Sequence, residues 1–181
     1  MNNKEQQNIQ SEKTLTEIFK YNAEAGASEY HVMIHSTKPE DTYEEQLNAV
    51  LNTYDNLLAK ELKGGVAVFK RYFLSDAANQ ADTLLALTTE GSDCALSIVE
   101  QPPLDGTKIA LWVYLQTVIQ TQVLHNGLFE VKHGAYRHLW AGSAFNRAAN
   151  SEYQTRLLLN DYVMQLMEQG CRLADHCIRT W

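Results

Sequence analysis

The 181-residue chain contains no apolar run approaching eighteen residues, so no membrane-spanning helix is expected. Its first residues, Met-Asn-Asn-Lys-Glu-Gln-Gln-Asn, lack the apolar centre of a secretory signal. Cysteine is scarce and odd in number: Cys94, Cys171 and Cys177, without CxxC spacing and without a basic motif to activate them. That reads as reduced thiols of a cytoplasmic protein, placed in the core or at its rim. Positive charge is also short. Fifteen Lys and Arg stand against 22 Asp and Glu, a net charge of −7. A general binder of nucleic-acid phosphates needs the opposite balance, and no basic stripe or aromatic platform for RNA is seen. Nucleophile elbow, Walker loop and dinucleotide fingerprint are all missing, and no cofactor is expected. His31 and His35 share a strand face, and His133 and His138 lie close in sequence. No cysteine or carboxylate completes a metal geometry around them, so no metal site is expected.

What is present is periodicity. Thr14-x-x-Glu17 matches a capping box, and Leu15, Ile18 and Phe19 follow it on one helical face. This predicts a short N-terminal helix ended by Gly26, an arm over residues 1–27 whose first eleven residues are frayed. Tyr30 to His35 alternates as a strand. Thr42-x-x-Glu45 is a second capping box, and Leu47, Val50, Leu51, Tyr54, Leu57 and Leu58 give the following helix one wide apolar stripe. Gly64-Gly65 then turns into Val66–Leu74, a strand rich in β-branched and aromatic residues, with Ser75 as the expected cap of a helix over 77–87. Strands are expected over Cys94–Glu100 and Thr107–Val118. In the second, Ile109, Leu111, Val113 and Leu115 oppose Ala110, Trp112, Tyr114 and Gln116. Both faces are bulky, so helices should cover one and a partner the other. Lys70-Arg71 interrupts its strand either as a solvated edge or as an anion contact in an intersubunit cleft. Trp112 and Tyr114 read as interface residues. Residues 119–133 read as a connection with one short strand over 127–132. Then come a strand over Arg137–Phe145, a helix from the capping-box match Ser151-x-x-Gln154 to Glu168, and a strand beginning at His176.

A shift of 108 residues superposes the two halves without a gap. Gln46 meets Gln154, Leu51 meets Leu159, Asn52 meets Asn160, Tyr54 meets Tyr162, Leu58 meets Leu166 and Arg71 meets Arg179. The flanking strands keep the same register, which favours duplication. A first unit then spans 28–118 and an incomplete second one 134–181, holding only the front half of the pattern. A half-sheet exposes an edge and an apolar face. The sequence therefore predicts a piece of a longer two-domain protein, or strands supplied by a partner chain.

With Glu44–Leu58, Val66–Asp76 ending Phe-Leu-Ser-Asp, Cys94-Ala95-Leu96-Ser97 and Lys108–Leu115 in this order, the first unit resembles the Rid family. This family of reactive intermediate deaminases is also called YjgF or L-PSP endoribonuclease. In the second unit, Gly134-Ala135-Tyr136 is similar to the family's Gly-Pro-Tyr and Ala141-Gly142-Ser143 to its Ser-Gly-Gln. The resemblance implies a chorismate-mutase-like α+β fold, with a mixed sheet and two helices on one face, followed by the front half of a second copy. It implies a homo-oligomer, a trimer packed sheet to sheet, with enamine or imine hydrolysis in clefts between subunits. The family's arginine, which holds the substrate carboxylate, falls at Leu96, and its acidic residue at Trp112. Leucine cannot bind a carboxylate and tryptophan cannot serve as a base. The expectation is thus a non-catalytic domain, a binder of a small carboxylate or a scaffold, with Arg71, Ser97, Trp112, Tyr136, Gly142 and Ser143 as candidate ligand contacts. The alternative is a deaminase or related lyase whose catalytic residues lie beyond Trp181 in a longer parent.

Overall fold

The structure, a computed structural model, describes residues 4–23, 26–88, 94–142 and 150–178. Eight elements build the larger layer: β1 (Lys4–Gln10), β2 (Thr14–Asn22), β3 (Ser28–Ser36), α1 (Tyr43–Ala59), β4 (Val66–Leu74), α2 (Ala77–Thr88), β5 (Ala95–Glu100) and β6 (Ile109–Gln116). Their strands form one sheet in the order β1-β2-β3-β6-β4-β5. Only β4 and β5 run parallel, joined through α2, as a parallel pair requires a crossover. The chain is mixed α+β.

The N-terminal helix predicted over Thr14–Ala23 is not formed. Residues 14–22 are β2, paired along their whole length with β3, and the supposedly frayed segment is β1, hairpinned to β2. Thr14, Thr16 and Ile18 are buried at alternating positions, a period of two rather than 3.6. Two of the three are β-branched threonines, and Ile18 is also β-branched, a composition that suits a half-buried pleat. The Ser11 hydroxyl accepts from the Thr14 amide at 2.9 Å, so the capping-like chemistry closes a hairpin turn instead. Lys4–Gln10 and Thr14–Asn22 are thus strands that continue the sheet rather than a helical arm.

α1 forms as its stripe predicts. Thr42 accepts from the Glu45 amide, and the Glu45 carboxylate accepts from the Thr42 amide, completing the capping box. Tyr43, Leu47, Val50, Tyr54 and Leu57 bury one helical face against Tyr30, Val32 and Ile34 of β3 and Ile109, Leu111, Val113 and Leu115 of β6. Leu84 of α2 joins the same core, so both helices cover one side of the sheet. The α2 cap is Asp76, whose Oδ1 accepts from the Asn79 amide at 3.3 Å, not Ser75. Ser75 accepts instead from the Gln80 side chain at 2.9 Å.

β4 carries an irregularity that fixes its faces. Ala67 lies opposite Leu115 and Phe69 opposite Tyr114, so Val68 is an extra residue, a β-bulge. Beyond it, Phe69, Arg71 and Phe73 share the side turned away from the helices with Trp112 and Tyr114.

That other side of the sheet receives a second, three-stranded sheet: β7 (Gln120–Val123), β8 (Phe129–His133) and β9 (Tyr136–Trp140), paired antiparallel in chain order. The segment predicted as a connection with one strand thus contains two. Phe129 and Val131 of β8 pack with Val68, Phe69, Cys94, Ala95 and Tyr114. The opposite side of the small sheet holds Glu130, 1 % exposed, between Arg137 Nη1 at 2.7 Å and Lys132 Nζ at 3.2 Å. Hydrogen bonding from Arg137 first, and from Lys132 and Gln122 besides, holds its carboxyl below the usual range.

α3 (Ser151–Glu168) follows, with Leu166 buried and Gln165 donating to the Asn126 carbonyl at 3.0 Å. Its cap is Asn150, which accepts from the Tyr153 amide, rather than Ser151. The strand expected from His176 is absent from the described residues, since Leu173–His176 is a helical turn, α4. The expected strand over Arg137–Phe145 is described only as β9, the remainder from Ser143 lying outside the described residues. The run β7-β8-β9-α3 has the same element order as β1-β2-β3-α1. β9 and α3 begin 108 residues after β3 and α1, at Tyr136 against Ser28 and Ser151 against Tyr43.

Candidate functional site

Strand register brings three of the six candidate residues together. Arg71 of β4 lies opposite Ser97 of β5 on one side and Trp112 of β6 on the other, and Trp112 lies opposite Met33 of β3. The four side chains thus form one row across the sheet, on the face away from α1 and α2. Arg71 Nε donates to Ser97 Oγ at 3.3 Å. Its guanidinium carbon stands 5.4 Å from the centre of the Phe69 ring, a cation–π contact. Burial lowers the pKa of the Arg71 guanidinium, yet an arginine so placed stays charged at any physiological pH.

Leu96 points the other way and packs against the helix-side core. An arginine in that orientation would meet α2 rather than the row. The open-face positions of β6 are Ala110, Trp112, Tyr114 and Gln116, none of them an acid.

The remaining candidates are dispersed. Tyr136 is 60 % exposed on β9 and stacks on His133, 5.0 Å between ring centres. Gly142 lies against the backbone of Leu96 on β5, so close that a Cβ there would sit 2.3 Å from the Leu96 carbonyl oxygen. Ser143 lies outside the described residues.

Residue-by-residue reading missed the aromatic surround. Phe69 lies 5.6 Å from Trp112 and 5.9 Å from Trp140, and His31 stacks on Trp112 at 5.8 Å and on Tyr114 at 4.9 Å. Alternation along β3 and β6 places His31 with the tryptophan. Phe69 shares the face of Arg71 by alternation along β4, and Trp140 could be found only with the second sheet in view. The outer margin of the same face presents Phe19, 44 % exposed, and half-buried Leu15, Met33, Phe73 and Val99. No group of three or more His, Cys, Asp or Glu able to hold a metal occurs among the described residues. No protein-family model, curated protein or solved structure matches this chain.

Proposed function

We propose that this chain is a Rid-like domain that has given up catalysis, holds a small carboxylate at Arg71 and Ser97, and assembles with copies of itself through the open sheet face. The observation that carries the reading is the row Ser97–Arg71–Trp112. It offers a fixed cation, a hydroxyl and an apolar wall on one surface, the donor set a planar carboxylate uses. Two further facts support the absence of turnover. Leu96, at the position of the family's arginine, is directed into the helix-side core. β6 offers no carboxylate on the open face to position water. The apolar margin around Phe19, Met33 and Phe73 is the kind of surface that copies of the chain bury against one another.

The test is a titration of the full chain with pyruvate, followed by amide chemical shifts. Saturable shifts are expected at Arg71, Ser97 and Trp112. Arg71→Gln should weaken binding about tenfold or more, the value of one charge-assisted hydrogen bond. Unchanged binding by Arg71→Gln, or no binding by the parent chain, overturns the site. Turnover of 2-aminoacrylate well above buffer overturns its non-catalytic character.

A further inference from the structure

The seam between the two sheets is where this fold is least consistent in its chemistry. Alternation along β8 and β9 turns Phe129, Val131 and His133, with their partners Trp140, His138 and Tyr136, toward the large sheet. One end of this contact is apolar and aromatic: Trp140 lies 5.5 Å from Tyr114 and 5.9 Å from Phe69. The other end is imidazole. His133 and His138 stand edge to face at 4.9 Å, and Tyr136 lies against both, at 5.0 and 5.3 Å.

Three polar atoms in this region are buried without a hydrogen-bond partner: His133 Nε2, Trp140 Nε1 and Gln116 Oε1. Gln116 is 4 % exposed, and its amide nitrogen is committed to the Tyr114 hydroxyl at 2.7 Å. A neutral imidazole tolerates a bare nitrogen as an acceptor left idle. An imidazolium does not, because a buried charged N–H without an acceptor carries its full desolvation cost. The two rings are also too close to be charged together without repulsion.

Among the described residues, Tyr136 of β9 lies against both rings and Glu29 of β3 acts on His138. Tyr114 of β6, which senses both Glu29 and Tyr136, adjoins them and carries His31 stacked on its ring. Burial first, and His133 second, push the His138 imidazole below the ordinary histidine range, against a smaller opposing pull from Glu29. Burial raises Tyr114, with Glu29 adding to the rise. Glu29 is the one carboxylate among these groups.

We propose that the seam between the small sheet and the large one is a pH-operated latch, closed while His138, packed against His133, is neutral and released when it takes up a proton. Release would uncover the aromatic surface of Phe69, Tyr114 and Trp112 beside Arg71, so the latch would regulate access to that face. The sign follows from linkage. The His138 imidazole, buried beside His133, binds its proton less readily in the docked state than in the released one. Docking is therefore fully favoured above the ordinary histidine pKa and is lost as pH falls below it. With an ordinary pKa near 6.5, one histidine excluded from protonation while docked shifts the docking equilibrium by up to about tenfold between pH 7.5 and 5.5.

Hydrogen exchange of the full chain tests this, read by mass spectrometry at pH 7.5 and 5.5 and corrected for intrinsic exchange rates. The expected result is up to about tenfold faster corrected exchange across β7, β8 and β9 at the lower pH, with β2 and β3 unchanged. His133→Gln combined with His138→Gln should abolish the difference. Equal corrected exchange at the two pH values overturns the proposal, as does simultaneous loss of protection in every strand or a pH effect that survives in the double variant. Should the double variant fail to fold, the comparison within the parent chain decides alone.

Discussion

Arg71 has two of its neighbours set by register, Ser97 of β5 and Trp112 of β6, and a third, Phe69, by alternation along its own strand. Sequence reading could mark the arginine as unusual inside a strand. It could not say which neighbours it would meet, because cross-strand partners are separated by 26 residues in one case and 41 in the other. Gly142 is a second case of local silence. Its φ is not in the left-handed region, so nothing in a turn rule marks it, yet the Leu96 backbone fills the space where a side chain would begin. Gly142→Ala should cost about 1–3 kcal/mol, the usual penalty of forcing volume into a closed contact. The corresponding fall of roughly 3–10 °C in Tm is measurable by calorimetry.

Elements whose two signals agreed were legible. α1 has a cap and a stripe, and both are realised. Thr42→Ala should remove the hydroxyl half of its capping box, leaving the backbone amide of residue 42 on the Glu45 carboxylate, and lower stability by about 1 kcal/mol, read from the urea midpoint. β3, β4, β5, β6 and α2 were likewise predictable in place, because alternation and turn residues bounded them. β1 and β2 were not. Leu15, Ile18 and Phe19 have helical spacing, but Thr14, Thr16 and Ile18 have strand spacing over the same residues, and nine pairings with β3 decide between them. β1, Lys-Glu-Gln-Gln-Asn-Ile-Gln, has almost no apolar signal, because an edge strand with both faces exposed needs none. β7 escaped notice for the same reason, all four of its residues being exposed.

At the scale of the whole molecule the chain is layered: two helices, a six-stranded sheet, a three-stranded sheet and α3. The small sheet covers one end of the open face and leaves Phe19 and its half-buried neighbours at the other. Under the proposed assembly, light scattering of the chain at micromolar concentration should give the mass of a trimer. Met33→Glu, placed on the row beside Trp112, should convert it to monomer with the circular dichroism spectrum retained. A monomeric parent chain would refute assembly through this face.

The extra residue at Val68 sets the parity of everything after it in β4. Were Val68 paired regularly with Tyr114, Arg71 would fall opposite Leu111 and Tyr72 opposite Ala110, and the guanidinium would be thrust among the leucines and valines under α1. The bulge therefore separates a sheet with a cationic row on its open face from one that cannot close its core. Deletion of Val68 would remove only the residue that lacks a partner and leave Phe69, Arg71 and Phe73 in their present register. The interior of the domain and its surface chemistry are set together at this one position.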